Sequence, residues 1–199
     1  MWQSYLNGLL VALGLIMAIG TQNAFVLAQS LRREHHLPVA ALCILCDALL
    51  VAAGVFGLAT ALAHNPTLLS VARWGGAVFL IWYGIKALRS AFSDQSLQHQ
   101  QGQGMRSRRA VLLSALAVTL LNPHVYLDTV LLIGSLGAQQ TAPGAYVAGA
   151  ASASLVWFST LAIGAAWLAP WLARPGTWRL LDLMVAVMMF AVAAQLIFN

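Results

Sequence analysis

At 199 residues, 61% of them hydrophobic and only 8% charged, the chain has too little polar surface for a water-soluble domain, which carries about a quarter charged residues. Its net charge of +5 is dispersed in short basic clusters between apolar runs. That pattern orients helices in a bilayer and gives no support for nucleic-acid binding.

The first apolar run, Tyr5–Leu31, lacks a basic leader and is too long for a signal peptide, so it reads as a retained span. Within it, "AIGTQNAFVLA" carries Gly20, which permits a helix break, and the polar side chains of Thr21, Gln22 and Asn23. The second run, Leu37–Ala63, contains Asp47. Ten residues of helix place this carboxylate about 15 Å along the span, near the midplane of a core about 30 Å thick. An ionisable residue at that depth costs roughly 2.5–3.5 kcal/mol. Helix packing is ordinarily served by Ser, Thr or Asn, so a functional role outweighs a packing one. The same run holds "CILCD", but a redox dithiol needs a solvent-accessible helix N-terminus. Cys43 and Cys46 therefore read as small apolar residues, and no disulfide framework is implied.

The third run, Leu68–Phe92, has Gly75, Gly76 and Gly84 for close helix packing. Arg73 is an interfacial anchor or a partner for Asp128, and Lys86 can snorkel to the interface. Residues 93–109 form a Gln-, Ser- and Gly-rich mobile linker. The fourth run, Ala110–Leu136, is interrupted by "TLLNPHVYLDTVLLIG". Pro123 has no N–H and displaces the carbonyl of Thr119, while Asn122 is pushed out of helical geometry. The freed backbone needs protein or water as a partner, so a polar cavity is expected there. His124 and Asp128, four apart, share a face if the helix resumes, and Tyr126 joins them as a candidate. In the fifth run, Gly144–Leu172, Ser152, Ser154 and Ser159 read as small interface residues. In the sixth, Trp178–Phe198, Asp182 and Arg179 read as a local pair.

Lys and Arg concentrate in the first, third and fifth connections, which the positive-inside rule puts in the cytoplasm, with both termini outside. The expected fold is all-α and polytopic. Six spans form two inverted three-helix repeats, 1–92 and 110–199, with helices 1 and 4 broken and their ends facing a shared site. A short echo between "QNAFVL" and "NPHVYL" accords with that symmetry.

The stretches "GTQNAFVLAQSLRR", "CDALLVAAGVFG", "WGGAVFLIWYGIKALRSAF" and "LNPHVYLDTVLLIGS" together resemble the lysine/arginine exporter family of bacterial inner membranes, nearest its arginine exporter branch. The resemblance covers nearly the whole chain and is weakest in the linker and last two spans. Thr21 stands where relatives often carry Ala or Pro. The resemblance implies a multi-pass inner-membrane protein, not an enzyme, that exports basic amino acids by membrane potential or proton exchange.

The residues agree in kind. Asp47 and Asp128 suit a cationic side chain, and Gln22, Asn23, Asn122 and Tyr126 suit the rest of an amino acid. Asp47 and His124 are the candidates for proton coupling. Gly20 and Pro123 are the candidate helix breaks. The expected partners are a basic amino acid and the lipid bilayer, with a homo-oligomer left open and no cofactor or resident metal. Two rival functions stand beside this one. Carboxylate, imidazole and amide oxygen also suit a divalent metal ion as cargo. A membrane thiol oxidoreductase would use Cys43 and Cys46.

Overall fold

The computed structural model describes residues 1–17, 20–58, 66–92, 107–122, 125–171 and 175–198. Most of the linker, Pro123 and His124 lie outside the described residues, as does the side chain of Arg73. Among the described residues the chain is helical, with no strand.

Helix α1 (Trp2–Ile16) and helix α2 (Thr21–Leu31) are set 77° apart. Between them Gly20 is extended, at φ −117° and ψ 176°, and caps α2. A tight turn with Arg33 and His35 at positive φ leads into α3 (His36–Ala53). Its end widens into π-type turns over Gly54–Leu58, where Gly57 takes φ 129°, a conformation that favours glycine. Helix α4 (Pro66–Phe92) closes the first half.

Helix α5 (Arg108–Leu120) is capped by Ser107, whose Oγ accepts the Ala110 N–H at 3.2 Å. Helix α6 begins as wide π-type turns over Tyr126–Ile133 and tightens over Gly134–Ala138. Helix α7 (Pro143–Leu168) starts on a proline, where a missing N–H costs nothing. Helix α8 (Pro175–Phe198) ends the chain's described part.

Two stretches, His36–Gly57 and Pro143–Leu168, are each long and apolar enough to cross a bilayer, and α1 with α2 could supply a third as one bent span. Helix α4 packs on α8, and α3 packs on α7. Both α1 and α2 lie against α7, while α5 and α6 lie against α3. Smaller contacts join α2 to α5 and α1 to α6. One apolar core, around Phe25, Leu80, Phe158 and Met189, fills the end towards the basic turns. A second, around Ala12, Val55, Ile133 and Tyr146, fills the other.

The α1–α7 seam brings backbones almost into contact. A Cβ added at Gly8 would lie 2.1 Å from the Tyr146 carbonyl oxygen, and one at Gly149 would lie 2.0 Å from that of Tyr5. On α4 the expected close packing applies to Gly84, which faces the Phe190 ring, and not to Gly75, where a Cβ would meet open space.

Asp182 corrects another expectation. It is buried and pairs with Arg32 of the α2–α3 turn, and it accepts the Ser90 hydroxyl of α4 at 2.8 Å. Arg179, its neighbour in sequence, is exposed. Two donors from elsewhere in the fold satisfy a buried carboxylate better than one solvated side chain on its own surface.

Candidate substrate-binding site

Where α2 begins and α5 ends, neither helix continues, and the two ends face a common cavity of about 270 Å³. A helix N-terminus leaves its first backbone N–H groups without helical partners and carries partial positive charge. The first turn of α2 presents that end to the cavity through Gly20, Thr21, Gln22 and Asn23. From the other side come Asn122, just past α5, and Asp128 and Thr129 in the first turns of α6. The wide turns of α6 shift side chains out of regular helical register, an irregularity frequent at functional sites.

Asp47 forms the floor. It is 4% exposed, two-thirds of the way along α3. Its Oδ1 accepts from Gln22 Nε2 at 3.4 Å, and its Oδ2 accepts from Ser154 Oγ at 3.1 Å. Asn23 spans the break, donating through Nδ2 to the Ile16 carbonyl at 2.7 Å. Its Oδ1 accepts from Trp157 Nε1 at 3.1 Å. Asn122 is buried and donates to Thr21 Oγ1 at 3.1 Å, which ties the two helix ends together. Two carboxylates, Asp47 and Asp128, line the cavity beside the amides of Gln22, Asn23 and Asn122.

The structure thus gathers Gly20, Gln22, Asn23, Asp47, Asn122 and Asp128 around one space. Tyr126 is half-buried on α6 and is not among the lining residues. Pro123 and His124 lie outside the described residues. In the sequence Ser154 reads as a packing residue, and nothing by itself marks Trp157, Thr129 or Gln195. Ser154 and Trp157 are three apart on α7, so they share a face, and that spacing was the available signal. Ser152 and Ser154 differ in what they bond. Ser152 turns back to its own helix at the Ala148 carbonyl, 2.8 Å away, and only Ser154 reaches the site.

Cys43 and Cys46 are free and buried inside α3. Among the described residues no three His, Cys, Asp or Glu side chains gather as a metal site.

Compared with known proteins, residues 13–199 match the profile of LysE type translocators. The chain belongs to that family. The relatives extend over almost its full length. An arginine exporter protein, ArgO, of Yersinia enterocolitica is 45% identical over 195 residues, 96% of this chain and 95% of its own. ArgO of Serratia proteamaculans is 44% identical over 194 residues, again 96% and 95%. YggA of Aeromonas salmonicida is 48% identical over 198 residues, 98% of this chain and 96% of its own. No solved structure matches the chain.

Proposed function

We propose that this translocator exports basic amino acids, arginine foremost and lysine with it, from the cytoplasm across the bacterial inner membrane. The observation that carries the reading is a shared cavity in which Asp47 and Asp128 face amides and the first turn of α2. Arginine has a cationic end and a carboxylate end. Asp47 and Asp128 hold the guanidinium by charge-assisted hydrogen bonds. Gln22, Asn122 and the backbone N–H groups of α2 hold the α-carboxylate. Relatives named as arginine exporters support the choice of substrate.

An inside-negative membrane potential opposes export of a cation by roughly 2.3 kcal/mol per 100 mV. Exchange of one arginine cation for one inward proton moves no net charge and removes that cost. Asp47 can serve both directions, binding guanidinium on the way out and a proton on the return, with His124 as a second carrier.

Six spans in two inverted repeats are supported by the pattern of helix contacts. Exchanging α1 with α5, α2 with α6, α3 with α7 and α4 with α8 turns most observed contacts into other observed contacts. The contact of α1 with α7 becomes that of α5 with α3, and the contact of α2 with α5 becomes that of α6 with α1. Helices α4 and α8 are 27 and 24 residues long, enough at about 1.5 Å per residue for a core about 30 Å thick. The Arg32–Asp182–Ser90 contact gathers the first turn, the end of α4 and the start of α8 at one basic end, which we place in the cytoplasm.

Counterflow in proteoliposomes tests the function. Vesicles preloaded with arginine should accumulate labelled arginine and lysine, and should ignore glutamate and leucine. Folded protein that exchanges no basic amino acid would overturn the reading.

A further inference from the structure

A second polar cluster lies far from the cavity. Asp182 is thirteen residues before the cavity-lining Gln195 on α8, so about 20 Å away along the helix. Its carboxylate holds the Arg32 guanidinium and the Ser90 hydroxyl, and the two charged side chains are only 11% and 8% exposed. Gln29 lines the same cleft, and its Oε1 is buried with no hydrogen-bond partner. The space left beside Arg32 is about 20 Å³, room for little more than one water molecule. Lys86 also borders the cleft, but its ammonium sits 5.2 Å over the exposed Trp82 ring.

We propose that Asp182, Ser90 and Gln29 form an intake site for the cationic end of a basic amino acid, which Arg32 fills as a tethered competitor. The inference rests on the exporter reading, with this end in the cytoplasm. Arg32 carries the same guanidinium as free arginine, and it occupies the acceptor that such a ligand needs. A guanidinium has five N–H donors, and the carboxylate, the hydroxyl and the orphaned Gln29 oxygen are acceptors for them. Arg32 bonds the carboxylate and leaves the Gln29 oxygen unused, so an untethered guanidinium that reaches all three can displace it. Displacement also severs the link between the α2–α3 turn and α8. Beyond the cleft the way to the cavity is filled by the packed core around Phe25, Val185 and Met189, so these helices must part before substrate can pass. Ligand arrival and opening of this end are thereby one event.

A competitor lowers apparent affinity in proportion to the fraction of time the site is free. In inside-out membrane vesicles holding the full chain, uptake of labelled arginine reads this site. Arg32→Gln removes the competitor and should lower KM about three- to tenfold. Arg32→Lys keeps the charge but loses the planar fork, and should lower KM less, in the same direction. Asp182→Asn should raise KM about tenfold or more. If Arg32→Gln fails to insert, Arg32→Lys decides alone: guanidinium chloride should inhibit it competitively at lower concentration than the wild type. An unchanged KM in both Arg32 variants, or equal inhibition by guanidinium, would overturn the intake site and leave the pair a structural lock. Vesicles of the wild type that take up no arginine would instead overturn the exporter reading itself.

Discussion

The α1–α7 seam and the cavity between α2, α3 and α6 lie side by side and are built on opposite terms. In the seam two helices touch through glycines, with Ala12, Ala150 and Ala153 buried around them and no space between. In the cavity two helices stop, backbone ends are exposed, and carboxylates and amides replace apolar side chains. Lipid supplies no hydrophobic force to hold one helix against another, so close backbone approach must do it. A tight seam fixes α7, and α7 in turn carries Ser154 and Trp157 to Asp47 and Asn23. The contrast teaches that the broken helices are held in place from outside the break.

The largest effect should come from the seam. A Cβ at Gly149 would sit 2.0 Å from a backbone oxygen, which no rotamer change can relieve. Gly149→Val should abolish the folded protein, read as loss of the monodisperse peak in detergent. Overpacking costs of about 1–3 kcal/mol apply where neighbours can shift, and here the obstacle is main chain.

Next is the floor of the cavity. Asp47→Asn keeps the shape and should leave the protein folded, while arginine transport falls about 10- to 100-fold, as expected for a lost hydrogen bond between charged groups. Exchange of labelled for unlabelled arginine separates the two duties proposed for it. Exchange should fail together with net efflux, because binding the cation needs the carboxylate. Surviving exchange would confine Asp47 to carrying protons.

Smaller effects trace the link between the two regions. Ser154→Ala removes one donor to Asp47 and should raise KM several-fold, and the loss should shrink when Asp47 is already Asn. Trp157→Phe keeps most of the ring but drops the hydrogen bond to Asn23, about 1 kcal/mol or a few-fold in KM. Ser152→Ala, which loses only a bond to its own helix, should change neither transport nor stability measurably. Equal effects of Ser152→Ala and Ser154→Ala would break the proposed link.

What could be read from the sequence follows the same division. Polar residues in an apolar run are costly, so Gln22, Asn23, Asp47, Asn122 and Asp128 stood out, and the structure gathers them around one cavity. The apolar runs likewise located the helices, and Gly20 marked where the first run divides. Cheap residues did not stand out. A serine can bond its own helix anywhere, so nothing local separates Ser154 from Ser152. The sequence pairs Asp182 with Arg179 because it shows the partner three residues away and hides the one in a distant turn. The widening of α3 past Ala53 depends on where α6 lies: a Cβ at Gly54 would be 2.5 Å from the Val130 carbonyl oxygen, a contact across the fold.

In the proposed mechanism substrate occupies the cavity between the helix ends while the seam stays shut. With both native cysteines replaced by serine, one new cysteine at Thr129 tests the cavity and another at Ala153, fully buried in the seam, tests the wall. Modification by a water-soluble maleimide should be fast at position 129, slowed by arginine but not by glutamate, and absent at position 153. A position-129 rate that arginine leaves untouched, in a variant that still performs arginine counterflow, would contradict the account.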